Sequence, residues 1–567
     1  MKVSSICWRI FLVLLPVAVV SSALLYLYPA VLGCAFPAPS APDQGDDLRA
    51  ASFRLLVLAD PQLEGDSSLP DPNAPYFPSI QDLLSGNATL FENGTISAFH
   101  AAATSLVVRD IPSLFAASRK RLDLLGNDYY LAHIYRTLHW WTSPTHVTVL
   151  GDLLGSQWIK DDEFEYRGWR YWERVFRHGK RVEDSIMEGD GRQEVLGHDP
   201  AWARRVINIA GNHDVGYAGD MSEKRLERFE RMFGRANWDI TFNLLDPSSV
   251  ANVTNLVDSP IQPPAIRLVI LNSMNLDGPV LSSSLQDKTY EHINDHFIAP
   301  ARPVTDRTTF NILLTHVPLH KPAGVCVDAP FFSYWPAFDD KDGEDTPSLN
   351  SKTSESDNVE VVQRVKQKKY ANIATGGLKE QNHLSIGSTR NILEGIFGMS
   401  GKIDAEGAGR GRKGIILTGH DHEGCDVVHY LPPRRDALQD TPEQDQTHKT
   451  GRFDVDDEWQ VMRTAEVDAA ELASSSMPAL REITLRSMMG SYSGNAGLLS
   501  VWFDPTIGEV GEWDYNFVNC KLGVQHWWWG VHVLDIVCLV VLSAATVTSL
   551  CGRLASTASQ RQKMKKA

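Results

Sequence analysis

The run Arg205-Val206-Ile207-Asn208-Ile209-Ala210 is followed directly by Gly211-Asn212-His213-Asp214. A short β-rich run that ends in Gly-Asn-His-Asp places polar, metal-competent side chains at the end of a strand. A short apolar run followed by Asp, His or Asn also occurs at residues 55–60, 147–152, 312–316 and 415–422. Because strands of one sheet can end at a common edge, we expect five strand ends to deliver these side chains to one place.

Six side chains at these strand ends carry oxygen or imidazole nitrogen: Asp60, Asp152, Asn212, His316, His420 and His422. A set without thiolate suits Mn, Fe or Zn, whereas Ca or Mg would require more carboxylates. Six ligands from several strands favour two ions that share one carboxylate. Two ions about 3.5–4 Å apart can hold the attacking and leaving oxygens of a displacement at phosphorus, and they lower the pKa of a bound water towards ~7.

The composition is that of a globular protein. Of 567 residues, 43% are hydrophobic and 22% are charged, which allows one large catalytic domain with insertions or two domains. The net charge of −16 argues against a nucleic-acid binder, which would show a basic face. Alternating strand and helix patterns predict an α/β fold with its site at the carboxyl ends of strands.

The apolar pattern predicts strands at residues 53–59, 146–150, 205–210, 267–272, 310–315, 414–418, 482–486 and 498–503. Apolar spacing predicts an amphipathic helix from Ser118 to Trp141, and the stretch 64–97 has the composition of a loop. Residues 339–360 and 432–457 are polar or charged, so we expect them to be solvated insertions.

Two apolar segments, residues 10–32 and 527–550, have the length of membrane-spanning helices. The second opens with Trp527-Trp528-Trp529, which suits a membrane interface. Basic residues flank the outer end of each segment. They predict that residues 1–9 and 551–567 are cytoplasmic and that residues 33–526 form a luminal or extracellular domain. A signal peptide cleaved near residues 33–35 is the alternative for the first segment.

Three glycosylation sequons, at Asn87, Asn93 and Asn252, agree with a luminal domain. Four cysteines (Cys7, Cys34, Cys538 and Cys551) lie in or beside the apolar segments, which leaves Cys326, Cys425 and Cys520 in the lumen. These three allow one disulfide in three pairings. We favour Cys326–Cys425, because each of the two follows a metal motif by a few residues.

The ordered motifs resemble those of the calcineurin-like metallophosphoesterases: Asp60-Pro61-Gln62, Gly151-Asp152, Gly211-Asn212-His213-Asp214, His316 and Gly419-His420-Asp421-His422. The family fold is a β-sandwich of two mixed sheets flanked by helices, with a dinuclear metal site. The resemblance implies that Asp60 and His422 bind a first metal, that Asp152 bridges both metals, and that the second is bound by Asn212, His316 and His420. It also implies that metal-bound hydroxide attacks phosphorus, with His213 as the general acid oriented by Asp214.

The first motif departs from the family, which usually has Asp-x-His where this chain has Asp60-Pro61-Gln62. An amide oxygen can coordinate a hard cation but binds Zn or Fe less strongly than imidazole does. Gln62 is therefore a weak ligand that favours Mn, or the first metal is held loosely, or the site has lost activity. We expect two divalent ions, with Mn preferred to Fe or Zn.

The whole arrangement looks like the fungal and animal enzymes of the endoplasmic reticulum that remodel GPI anchors. The stretches 133–137 and 151–158 are also similar to theirs. The resemblance implies removal of an ethanolamine phosphate side branch from the anchor glycan. The substrate would be GPI-anchored proteins or the GPI glycolipid, and the activity would support maturation and export of GPI proteins. Another luminal phosphoesterase, acting on phospholipid, nucleotide or phosphoprotein, and an inactive sorting or receptor factor are the alternatives.

The tail carries Lys563 and Lys565 at the spacing of a dilysine-type retrieval signal. A plain basic tail that binds anionic lipid is the alternative. With the resemblance, the tail predicts a protein of the endoplasmic reticulum membrane or early Golgi that contacts cargo receptors and coat proteins.

Overall fold

The computed structural model describes residues 3–39, 53–65, 69, 75–85, 95–189, 192–245, 263–298, 302–336, 376–402, 404–432, 459–467 and 478–566. Within these ranges the protein is a sandwich of two mixed sheets flanked by helices. This architecture confirms the expected α/β class. The three sequon asparagines and the two polar insertions, apart from Pro432, lie outside the described residues.

The strands in chain order are β1 Phe53–Leu58, β2 His146–Val149, β3 Lys180–Arg181, β4 Arg192–Val195, β5 Arg205–Asn208, β6 Trp238–Asn243, β7 Ala265–Ile270, β8 Thr309–Leu314, β9 Phe332–Tyr334, β10 Leu378–Gln381, β11 Lys413–Thr418, β12 Cys425–Tyr430, β13 Gln460–Arg463, β14 Ala479–Thr484, β15 Asn495–Asp504 and β16 Glu512–Lys521. The eight predicted strands are all present.

The helices are α1 Val3–Tyr26, α2 Tyr28–Val31, α3 Pro78–Leu84, α4 Thr95–Ser105, α5 Ile111–Thr142, α6 Asp161–Arg170, α7 Asp184–Met187, α8 Asn212–Val215, α9 Glu223–Phe233, α10 Ser283–Ile298, α11 Ile386–Gly395 and α12 Gln525–Lys566. Single π-turns at Leu106–Asp110 and Tyr171–Val175 continue α4 into α5 and extend α6.

Of the two sheets of the sandwich, one has the order β16-β15-β1-β2-β5-β3 and the other β13-β12-β14-β11-β8-β7-β6-β4, while β9 and β10 form a separate two-stranded sheet. Strands β1, β2 and β5 are parallel neighbours, as are β7, β8, β11 and β14. Every residue of β2 and β8 is buried, as expected of parallel strands that are covered on both faces. The core between the two sheets includes Leu55 and Val57 from one sheet and Leu268, Ile270 and Ile312 from the other.

Several sequence expectations are corrected. The helix expected at Ser118–Trp141 is part of a longer helix, α5, and the stretch 64–97 contains α3 and the start of α4. The missed strands are β3, β4, β6, β9, β10, β12, β13 and β16. Many of these are short or partly exposed, such as β16, in which buried and exposed positions mix. Partial exposure lowers the apolar content on which strand prediction relies.

Two disulfides are present among the described residues. The expected Cys326–Cys425 bond is confirmed. The exclusion of Cys34 from the luminal cysteines is wrong, because Cys34 is bonded to Cys520. Cys34 lies beyond α2, and Cys520 lies near the end of β16. The bond therefore joins the chain that leaves α1 to the chain that enters α12.

The terminal helices are long and apolar enough to cross a membrane: Val3–Tyr26 and Gln525–Ala558. Only 11% of the most apolar 18-residue stretch of each helix is buried, whereas a core helix of a soluble protein is mostly buried. The two helices pack on each other through Phe11, Ala18 and Cys538. The orientation of these helices and the compartment of the domain stay predictions.

Candidate metal centre

The five strand ends meet at one edge of the sandwich. Asp60 follows β1, Asp152 follows β2 and Asn212 follows β5, whereas the other ligand loops follow β8 and β11 of the second sheet. Four of the expected ligands have a left-handed backbone: Asp60 (φ 51°), Gln62 (φ 39°), Asp152 (φ 49°) and His420 (φ 72°). Non-glycine residues are uncommon in this region and cluster at functional sites.

A first group of donor atoms comes from Asp60, Asp152 and His422, all within 4.8 Å of one another. Gln62 lies against this group. Its Nε2 donates to Oδ2 of Asp152 at 3.0 Å and to Nε2 of His422 at 3.1 Å. Half a turn of the amide exchanges its oxygen and nitrogen, so Gln62 can present either atom to the group.

A second group consists of Asp152, His316 and His420, also within 4.8 Å of one another. Asn212 joins it, because its Oδ1 lies 3.1 Å from Nε2 of His316 and 3.0 Å from Nδ1 of His420. Asp152 belongs to both groups. The structure thus brings together all seven side chains that were expected to bind metal.

The outer ring nitrogens of the three histidines have partners of their own. Nδ1 of His316 donates to the Leu150 carbonyl at 2.6 Å, and Nε2 of His420 donates to the Gln381 carbonyl at 2.8 Å. Nδ1 of His422 lies 3.3 Å from the Tyr492 hydroxyl. Such bonds fix the tautomer and direct the other nitrogen inward, as partners of metal-binding histidines do.

Gln381 and Tyr492 were not expected at the site. Gln381 contributes a backbone carbonyl, which carries no side-chain signal in a sequence. Tyr492 lies far along the chain in a turn before β15. A tyrosine beside a Ser- and Gly-rich turn is the only trace that the sequence offers.

The electrostatics suit a bound cation. Burial raises the pKa of Asp60 well above its usual value, and the Oδ2 of this carboxylate is buried without a hydrogen-bond partner among the described residues. Burial would also raise the pKa of Asp152, but the neighbouring His316 and His213 lower it below its usual value. Burial would lower the pKa of His316, whereas Asp152 raises it to about 9. A bound cation would stabilise both of these buried carboxylates in their ionised form.

Burial lowers the pKa of the other two histidines, to about 3 for His420. Both rings are therefore neutral near pH 7, which is the state that coordinates a metal. The donor set of carboxylate, amide oxygen and imidazole matches Mn, Fe or Zn. The residues present therefore fit a pair of divalent cations.

His213 borders both groups. Its Nε2 lies 3.7 Å from Oδ2 of Asp152, and its backbone N–H donates to Oδ1 of Asp152 at 2.8 Å. The side chain is 35% exposed, so it reaches both the cluster and solvent. This position suits contact with a bound phosphate.

Asp214 does not orient His213, which corrects the expectation from the resemblance. Its carboxylate accepts from the backbone N–H groups of Leu153, Leu154 and Gly211 at 3.0–3.1 Å. Asp214 therefore joins the loop after β2 to the turn after β5. It positions the backbone around Asp152 rather than the imidazole.

No family model matches the chain. The chain is 29% identical over 467 residues to Protein TED1 of Saccharomyces cerevisiae, covering 75% of this chain and 78% of that protein. It is 26% identical over 435 residues to an uncharacterized protein of Schizosaccharomyces pombe, covering 76% and 82%. Metallophosphoesterase 1 of Danio rerio is 27% identical over 135 residues, covering 24% and 29%.

These similarities confirm the resemblance to the metallophosphoesterases. A solved structure of GAP50, the anchor in the inner membrane complex of Plasmodium, covers 83% of this chain and 89% of its own. Its TM-score of 0.22 and identity of 8% are too low to support a conclusion.

Proposed function

We propose that this protein is a metal-dependent phosphodiesterase that removes an ethanolamine phosphate side branch from the glycan of GPI anchors. The observation that carries the proposal is the pair of ligand groups that share Asp152, with His213 beside them. Similarity to metallophosphoesterases supports phosphoester hydrolysis. The arrangement of motifs and terminal helices supports the anchor substrate through its resemblance to the anchor-remodelling enzymes.

Asp60, Gln62 and His422 would hold one divalent ion, and Asn212, His316 and His420 the other, with Asp152 between them. Bound there, two divalent ions supply charge neutralisation of the phosphate and a water of lowered pKa. Mn is the preferred metal, with Fe or Zn as alternatives, because the amide of Gln62 replaces an imidazole in the first group.

The chain's own residues complete the reaction. His213 would donate a proton from Nε2 to the oxygen that leaves phosphorus, because this nitrogen lies beside the shared carboxylate while the side chain is partly open to a bound substrate. Asp214 holds the two loops that carry Asp152 and Asn212 at a fixed spacing through its backbone bonds. Fixed spacing matters because a displacement of about 1 Å can cost roughly 100-fold in rate.

The proposed location is the membrane of the endoplasmic reticulum or early Golgi, with the catalytic domain in the lumen and both termini in the cytoplasm. Two apolar terminal helices support a membrane protein. The tail with Lys563 and Lys565 would contact coat proteins, and cargo receptors would contact the protein during export. Hydrolysis of another luminal phosphoester, or an inactive sorting role, remains as the alternative.

The test uses full-length protein in detergent, freed of metal and then supplied with Mn. A panel contains ethanolamine-phosphate mannosides, phospholipids, nucleotides and a phosphopeptide. The proposal predicts hydrolysis of the mannoside diester and close to two bound metals per chain. Asp152→Asn should lose both the hydrolysis and the bound metal, whereas Glu509→Gln, a substitution at an exposed site, should keep them. Preference for another ester would contradict the proposed substrate. A folded protein that binds no metal and hydrolyses none of the esters would contradict the proposal that the protein is an enzyme.

A further inference from the structure

A long helix leaves the catalytic domain beside the terminal helices, and much of its surface is exposed and apolar. It runs without interruption through α4, the π-turn at Leu106–Asp110 and α5. The carboxyl-terminal half of α5 is buried in the core, whereas residues 95–125 are mainly exposed. We name residues 95–125 the apolar arm.

Large hydrophobic side chains of the arm are exposed to an unusual degree. The exposed fractions are Ile96 87%, Phe99 58%, Val107 62%, Phe115 71% and Leu122 55%. A surface of this kind on a soluble protein marks a site of contact with a partner or a membrane. We therefore expect a partner or a membrane to cover this face of the arm.

The π-turn keeps these side chains on one face. At about 100° per residue, Ile96 and Val107 lie within about 20° of each other around the helix axis, and Phe99 lies about 60° to one side of Ile96. A π-turn takes up one residue more than an α-turn. Without it, Phe115 would stand about 80° away from the line of Val107. With it, Phe115 and Leu122 lie within about 40° of Ile96 and Val107 around the axis. We call these four residues, together with Phe99 at their side, the apolar stripe.

The charged residues of the arm are one internal pair and a group near its carboxyl-terminal end. From Thr95 to Ser118 the charged residues are Arg109 and Asp110. They lie 3.1 Å apart, and Asp110 is buried, where it accepts from the backbone N–H of Ser79 in α3 at 2.8 Å. Residues 119–121 then read Arg-Lys-Arg. An apolar stripe that ends in basic residues is typical of helices at a membrane surface.

The carboxyl-terminal end of the arm lies where the second terminal helix meets the domain. Gly126 packs against the indole of Trp529, so closely that a Cβ on the glycine would overlap the ring. The hydroxyl of Tyr130 donates to the carbonyl of Gly523, just before α12. Trp529 belongs to the tryptophan cluster that suits a membrane interface. The arm therefore departs at the level where the bilayer would begin.

We propose that the apolar arm lies in the interface of the bilayer, with the apolar stripe against the acyl chains. Ser113, on the opposite side of the arm, faces water. Continuity with the terminal helices selects the bilayer over a second protein as the occupant. The chain would thus contact the membrane at a third place besides its two terminal helices.

The arm is tied to the candidate metal centre. Nζ of Lys120 lies 3.9 Å from Oε2 of Glu64, two residues after Gln62. A bilayer contact by the arm would bring the Gln62 loop towards the lipid surface. This consequence rests on the proposed function, because it suits a substrate whose glycan is attached to lipid.

The test is a measurement of lipid exposure in the full-length protein. The three free cysteines, Cys7, Cys538 and Cys551, are first replaced. The two disulfides are left intact. Single nitroxide labels are then placed at Val107, Phe115, Ser113 or the control Glu509. Collision rates with oxygen and with a water-soluble nickel complex are measured in nanodiscs of phosphatidylcholine and phosphatidylethanolamine.

The proposal predicts that labels at Val107 and Phe115 collide with oxygen but are shielded from nickel, whereas Ser113 and Glu509 are open to nickel. Nickel access at all four positions would overturn it, because the arm would then stand in water. Shielding of Val107 and Phe115 from both reagents would also overturn it and indicate a second protein on the stripe. The readout does not involve hydrolysis, so its failure would leave the proposed activity standing.

Discussion

Oδ1 of Asp152 lies 3.3 Å from Nε2 of His316, at the point where the two groups of donor atoms meet. The carboxylate belongs to both groups, so a change here affects both at once. Other residues of the centre belong to one group each. Single substitutions can therefore be chosen to affect the first group, the second group or both groups.

Tyr492→Phe removes the hydroxyl beside Nδ1 of His422 and leaves the ring in place. Loss of an outer partner of a metal-binding histidine typically costs about 10–100-fold in metal affinity or activity. We expect a loss of that size for the first metal only. Metal titration followed by hydrolysis measures it, and equal weakening of both metals would contradict the assignment of His422 to the first group.

Gln62→His restores the usual family motif. Histidine tolerates the left-handed backbone at this position (φ 39°) better than most residues do. Because imidazole binds Zn and Fe more strongly than an amide does, we expect higher affinity for Zn at the first site. Competition between Zn and Mn measures the change. An unaltered preference would show that Gln62 is not a ligand.

Gly151→Ala tests the packing behind the centre. Gly151 has φ 88°, and a Cβ there would overlap the ring of His316. Strain of this kind costs about 1–3 kcal/mol. We expect lower stability in urea and a lower affinity for the second metal. A substitution with neither effect would mean that the loop after β2 can move away from His316 at little cost.

His146→Phe tests the pH dependence of stability. His146 is buried against Phe53, and burial lowers its pKa to about 3. Between about pH 6.5 and 3 the unfolded chain binds a proton that the folded chain does not, so stability is lost as the pH falls, by up to about 1.4 kcal/mol per pH unit. The phenylalanine variant should lose less stability from pH 6.5 to 4.5 in urea titrations. Parallel curves for both proteins would contradict this account.

The expected ligands could be found in the sequence because each is a polar side chain at or just beyond the end of an apolar strand. The role of Asp214 could not, since its partners include backbone amides of a loop distant in sequence. Cys34 was misassigned because its neighbours are apolar, and only the fold brings it to Cys520. Residues 95–117 of the arm were missed because they carry few charged residues to mark a polar face opposite the apolar one.

The central claim is that this centre removes ethanolamine phosphate from GPI anchors. The most direct measurement is mass spectrometry of anchor glycans from cells whose protein carries Asp152→Asn, with Glu509→Gln as the matched control. The account predicts that the side branch is retained with Asp152→Asn and removed with Glu509→Gln. Normal removal in the Asp152→Asn cells, with the variant present at the usual level, would contradict it.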